Sequence, residues 1–146
     1  MPLVANKKAY FNYEILEKLE AGIELLGFEV KSLKKGQGSL EGSHVTVRGS
    51  EAFVTGMQIP PYQPANTPKD YDLIRNRKLL LTKKEIAKLS GEENQKGLTI
   101  IPLSVYNKGR KLKIEIAVVR GKKKYDKRET IKKRDTERDI RRELKS

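Results

Sequence analysis

Apolar and polar residues alternate with a period of two in several stretches of the chain, the pattern of strands that turn one face to a core. Val45 and Val47 alternate with Thr46 and Arg48, and Phe53, Thr55, Met57 and Ile59 continue the habit. Gly49-Ser50 between the two runs predicts a hairpin turn. A second pair of runs, Leu98 to Tyr106 and Leu112 to Arg120, is joined by the turn-like Asn107-Lys108-Gly109-Arg110. Leu112, Ile114, Ile116 and Val118 form an unbroken apolar face, with Lys113 and Glu115 on the other side.

Tyr10 to Gly22 is ambiguous. Phe11, Tyr13, Ile15, Leu19 and Ala21 occupy odd positions, as in a strand, whereas Glu14 and Leu16 to Leu19 carry helical propensity. The leading aromatic residues favour a strand. Gly27 to Lys35 predicts a short helix ended by Gly36. Four prolines between Pro60 and Pro68 exclude a regular element there. Asp72 is expected to cap a helix running through Arg75, Lys78 and Leu81, and Thr82-Lys83-Lys84-Glu85 has the form of a capping box opening another toward Leu89. Gly91 and Gly97 are placed as the brackets of the loop that follows. Five or six strands with about three short flanking helices predict a mainly β fold, an OB-fold-like closed antiparallel β-barrel.

Charge divides the chain in two. The 146 residues carry a net charge of +13, with 36% hydrophobic and 35% charged residues. Segment 121–146 alone holds 12 Lys/Arg against 6 Asp/Glu, and its few large apolar residues cannot cover a helical face. The expectation is a barrel domain over 1–120 and a basic C-terminal tail over 121–146, disordered when free. Glu129 before Lys133 and Glu137 before Arg141 would support a helix once the tail meets a partner. A plain solubility tail is the simpler alternative.

Several chemistries drop out. No run approaches the roughly 20 apolar residues of a membrane span, and the first residues lack the apolar core of a secretory signal. There are no cysteines and one histidine, His44, so thiolate and His-cluster metal sites are excluded. Gly36-Gln37-Gly38-Ser39 matches a turn better than a phosphate cradle, and no nucleophile stands beside a tuning base. The reading is a cytoplasmic protein, not an enzyme, with no cofactor and no membrane partner. The charge points instead to nucleic acid. Positive groups recur at Lys31, Lys34 and Lys35, at Arg75, Arg77 and Lys78, and at Arg110, Lys111 and Lys113. Tyr10, Phe11, Tyr13, Tyr62 and Tyr106 are available to stack on unpaired bases or to fill the core. Composition alone does not separate RNA from DNA.

Four ordered blocks narrow this. They are Glu20 to Leu33 (E-A-G-I-E-L-L-G-F-E-V-K-S-L), Arg75 to Leu81 followed by Lys84-Glu85-Ile86, Gly97 to Leu103 leading to Tyr106, and Arg120 to Arg128. Together they resemble the SsrA-binding proteins (small protein B) over nearly the whole chain. That resemblance implies a barrel bound to the tRNA-like domain of transfer-messenger RNA (SsrA RNA), delivering it to stalled bacterial ribosomes for trans-translation. It also implies a complex with elongation factor Tu and aminoacylated RNA. Asn6, Glu20, Leu80 and Lys113 match the family's RNA-contact positions, to which the basic residues Lys31, Lys34, Arg75, Arg77 and Lys78 are added. Lys122, Lys123, Tyr125, Asp126, Lys127 and Arg128 match the part the family places at the ribosomal decoding centre, with the rest of the tail in the vacant mRNA channel. Asn12, Phe28, His44 and Leu73 depart from the family pattern. A structural ribosomal protein or another OB-fold RNA-binding protein is the alternative reading.

Overall fold

The computed structural model describes residues 2–121. The expected tail, including Lys122, Lys123, Tyr125, Asp126, Lys127 and Arg128, lies outside the described residues. Strand β1 is Val4–Ala5, and a single helical turn, α1 (Ala9–Asn12), leads into the long strand β2 (Tyr13–Ile23). Helix α2 (Gly27–Lys34) is followed by the hairpin β3 (His44–Arg48) and β4 (Glu51–Thr55), then by β5 (Arg77–Leu80). Helix α3 (Lys83–Glu93) precedes the hairpin β6 (Leu98–Lys108) and β7 (Lys111–Gly121).

All seven strands join one antiparallel sheet in the order β1-β6-β7-β2-β5-β4-β3. The fold is therefore mainly β, as the alternation predicts, but the hydrogen-bonded ladder does not close. β3 and β1 remain its edges, so the expected closed barrel is corrected to a curled, open sheet. Curling brings β3 close to β6, and α3 packs against both where a ladder would have closed the ring. There Glu93 Oε2 accepts from the Val47 N–H of the edge strand at 2.8 Å, which blunts one free donor of the edge.

The concave face encloses the main core. Val45, Ala52 and Val54 from one end of the sheet meet Ile100, Ile114 and Ile116 from the other, with Leu33 of α2 and Leu89 of α3 as plugs. Each such Leu or Ile contributes about 1.5–3 kcal/mol by leaving water. A second, smaller cluster lies on the opposite face: Ala9, Ile101, Leu103, Ala117 and Val119, with Tyr13 and Ile15 packed on it.

The second cluster explains the ambiguity of Tyr10 to Gly22. The register of β2 against β7 shifts between Ile15 and Glu17, a bulge at Leu16. Such an extra residue moves the side chains that follow to the other face. Tyr13 and Ile15 thus serve the outer cluster, while Leu19, Ala21 and Ile23 serve the main core. The odd positions predict a strand correctly; they do not form one face. A matching shift between Pro102 and Ser104 of β6 lets Leu103 and Val105, two residues apart, point into different clusters.

Two local expectations are overturned. Residues from Asp72 onward do not form a helix. The Asp72 carboxylate accepts from the Ile74 N–H at 3.0 Å in a local turn, and Arg77 to Leu80 pair with β4 and β2 as strand β5. Gly91 lies inside α3 rather than at a loop, because the helix runs on to Glu93. The capping box at its start is as read. Thr82 Oγ1 accepts from the Glu85 N–H, and Glu85 Oε1 from the Thr82 N–H. Strand β4 ends earlier than the alternation suggests, at Thr55. Gly56 then turns with φ +83°, and Met57 and Ile59 reach the core from extended chain.

Candidate nucleic-acid interface

The predicted contact residues fall into three groups. The first is buried and internally satisfied. Arg77 occupies an inward position of β5 and has no exposed surface. Its guanidinium donates to Glu29 Oε2 from Nε at 2.9 Å and from Nη2 at 2.7 Å, and to the Met57 carbonyl at 2.7 Å. As a phosphate contact it is corrected: this arginine is a core residue. Asn6 is 8% exposed, and its amide donates to the Pro102 carbonyl at 3.1 Å, tying the β1 edge to β6.

Glu29, on the buried side of α2, is the anchor opposite Arg77. Burial alone would raise its carboxyl. Hydrogen bonds from Arg75, from the Leu26 amide, from Tyr71 and from Arg77 outweigh that and hold it at about 2. Tyr71 donates to Glu29 at 2.8 Å and is pushed up to about 12 by burial and by that same carboxylate. Phe28, one of the departures, packs its ring edge-to-face on Tyr71 at 4.7 Å. The proline-bearing connection between β4 and β5 is thus pinned to α2 by charge and ring contacts; against the expectation of no regular element there, it holds one 3-10 turn at Pro64–Asn66, which Pro64 opens at a position where its missing N–H costs nothing.

The second group is cationic and at the surface. Arg75 is held by Glu29 through Nε at 3.1 Å. Lys78 lies 3.3 Å from Glu51. Together with Phe53 and Leu26 these two residues line a recess of about 520 Å³. Lys31 and Lys34 are exposed on α2, Lys31 standing 6.0 Å above the Tyr62 ring.

The third group is a transverse row on the convex face. Tyr106 of β6 pairs with Lys113 of β7, Lys113 with Gly22 of β2, and Gly22 with Leu80 of β5. Leu80 is 51% exposed, unusual for a leucine in the middle of a sheet. One step along, Glu20 stands exposed. Its carboxylate accepts from the Tyr106 hydroxyl and, at 3.0 Å, from Lys108 Nζ. The Tyr106 bond first, then that from Lys108, holds the Glu20 carboxyl below its usual range. Burial and Glu20 push the Tyr106 hydroxyl upward. Glu20 therefore stays ionised and fixes an aromatic ring and an ammonium group beside Lys113.

Leu80 and Lys113 also line one groove, with Arg110 and Lys111 from the β6–β7 turn on its rim and Leu112 on its wall. Of the predicted contacts, then, the structure brings together Leu80, Lys113 and Glu20. Lys78 neighbours Leu80 in β5, and Arg75 shares a recess with Lys78. Asn6 and Arg77 stay apart in the interior. Sequence reading missed Gly22 as part of the row, and the only available signal was a glycine inside a strand. It also missed the acceptor role of Glu20 toward Tyr106, which sequence separation hides.

This face suits an anionic ligand with flat apolar parts: cations at the rim, exposed leucine, an anchored tyrosine. A family profile described as SmpB protein matches residues 3–146. The chain is 51% identical to the SsrA-binding protein of Persephonella marina, covering 98% of this chain and 93% of that one. It is 50% identical to the SsrA-binding protein of Elusimicrobium minutum over 99% of this chain and 93% of the relative. It is also similar to a solved structure described as "tmRNA-SmpB: a journey to the center of the bacterial ribosome". That likeness has a TM-score of 0.70 and 41% identity, covering 82% of this chain and 84% of that chain.

Proposed function

The chain belongs to the SmpB protein family, and from that premise we propose that it binds the tRNA-like domain of transfer-messenger RNA and carries it to stalled bacterial ribosomes. The observation that carries the reading is the convex row Tyr106–Lys113–Gly22–Leu80, flanked by Glu20, because it gathers three family-matched contact positions on one surface. Lys113 meets phosphate there, Leu80 offers an apolar seat, and Glu20 works chiefly by orienting Tyr106 and Lys108. Glu20 is thus a positioning residue more than a direct partner of RNA. Lys31, Lys34, Arg75 and Lys78 add backbone contacts around this centre. Nothing in the reading requires the protein to make or break a bond. The RNA brings the reading frame.

Residues 1–120 form the RNA-binding body and 121–146 the ribosome-directed tail, with Lys122, Lys123, Tyr125, Asp126, Lys127 and Arg128 at the decoding centre and the remainder in the vacant mRNA channel. Aminoacylated RNA and elongation factor Tu accompany the complex in the cytoplasm. The composition step at Gly121 supports this division.

A bacterial translation extract depleted of its own SmpB and programmed with a message lacking a stop codon tests the reading. Adding the full chain restores peptide tagging. A chain ending at Lys124 still binds the tRNA-like RNA within a few-fold but restores no tagging. Absence of tagging with the full chain contradicts the proposed function, and tagging by the truncated chain contradicts the tail's role.

A further inference from the structure

At the seam where β3 comes close to β6 without pairing, the body carries a recess of about 520 Å³. Its floor is Ala9 and Ile101, two members of the smaller apolar cluster. Its walls carry the neutral hydrogen-bonding side chains of Asn12, Tyr13, Ser43, His44 and Thr99. Among the described residues, the only charged groups lining it are Lys8 and Glu41, which engage each other at 2.7 Å. The recess shares no residue with the groove at Leu80 and Lys113.

With its two charges paired, this recess offers no free cation to a phosphate and no free carboxylate to an ammonium group. Its floor and walls suit an occupant with an apolar body and a neutral polar tip, which among side chains means tyrosine or tryptophan. The chain has no tryptophan, but it delivers a tyrosine to this place. Gly121, the last residue of β7, pairs with Tyr13, and Val119 pairs with Thr99. The chain therefore leaves the sheet beside two residues of the recess wall. Tyr125 is the only aromatic residue in 122–146 and stands four positions beyond Gly121. Four residues span at most about 14 Å, which keeps the ring near Asn12, Tyr13 and Thr99. So short a tether sets a local concentration on the order of millimolar, enough to populate a contact that a free tyrosine would make only weakly.

We infer that Tyr125 docks into the seam recess in the free protein, its ring against Ala9 and Ile101 and its hydroxyl against the neutral wall, and so holds the first residues of the tail on the body. Docking keeps Lys122, Lys123 and Lys124 beside the seam. Any partner that takes up the tail must first displace Tyr125, so the contact is a release step. It is internal to the chain and stands or falls separately from the RNA-binding and ribosomal readings.

Limited trypsin digestion of the full-length chain, compared with a free peptide of residues 119–130, reads the docked fraction. The bonds after Lys122, Lys123 and Lys124 are cut at least about threefold more slowly in the chain than in the peptide. Tyr125→Ala, compared with the peptide of its own sequence, loses most of that protection. The bulk of the body shields these bonds equally in both chains, so protection left unchanged by Tyr125→Ala overturns the inference. A second measurement locates the contact. The chain has no cysteine, so a nitroxide on Glu41→Cys marks the recess alone. It broadens the amide signals of residues 123–127, and Tyr125→Ala relieves the broadening. Raising the salt to about 1 M, where the Debye length is about 3 Å, leaves the broadening in place, because the contact is apolar. Broadening that vanishes at high salt, that persists in Tyr125→Ala, or that never occurs contradicts docking at this recess.

Discussion

Glu29 has no exposed surface, yet its carboxylate takes hydrogen bonds from two arginines, a tyrosine and a backbone amide. Removing one side of a buried ion pair leaves the other charge stranded, at a cost of about 3–5 kcal/mol. Glu29→Ala is therefore expected to lower unfolding stability by roughly that amount in urea titration at neutral pH. The same carboxyl, held at about 2 against an ordinary 4.5, sets an acid limit. A depressed carboxylate contributes its full stability above the unfolded-state value, and loses it as pH falls through the folded one. Thermal midpoints between pH 5 and pH 2 should fall more steeply for the wild type than for Glu29→Gln, and equal slopes would contradict this assignment. At this scale the sequence was least legible. Arg77 reads as one more surface cation, because nothing local to it announces a carboxylate 48 positions earlier in the chain. Glu20 was recognisable by its motif, but its partners Tyr106 and Lys108 lie too far along the chain for spacing to reveal them.

Elements fared better where a signal was local. The box at Thr82 and Glu85 is written in four consecutive residues, and α3 begins there. Thr82→Ala should cost about 1 kcal/mol of stability, seen as a lower Tm. An unchanged Tm would mean that tertiary packing alone sets the helix start. The hairpins β3–β4 and β6–β7 were legible for the same reason: alternation broken by Gly49 and Gly109, each with positive φ. Strand β5 was not, because its inward position 77 is filled by an arginine in place of an apolar residue, and Asp72 offers a false cap nearby. Pairing with β2 and β4 decides its conformation, and that pairing is non-local. The bulges at Leu16 and Leu103 likewise hide in the sequence. They split runs that look like one face between two clusters on opposite sides of the sheet.

For the molecule as a whole, composition pointed to a basic nucleic-acid-binding protein and the four motif blocks to RNA, but neither to how its sheet would close. The alternation gives strands without giving their order, and the ladder stops at β3 and β1 with α3 set against the gap. The net charge of +13 attracts any polyanion, so charge alone explains affinity without preference. Preference has to come from shape: the exposed Leu80 on Gly22, the Tyr106 held by Glu20, and the rim of cations between them. This central claim is tested most directly by competition. A labelled tRNA-like domain bound to the full chain at physiological ionic strength is challenged with unlabelled ordinary tRNA or with its own unlabelled copy. The account predicts that ordinary tRNA competes at least about tenfold less well, a difference of ~1.4 kcal/mol or more. Equal competition by the two RNAs would contradict it.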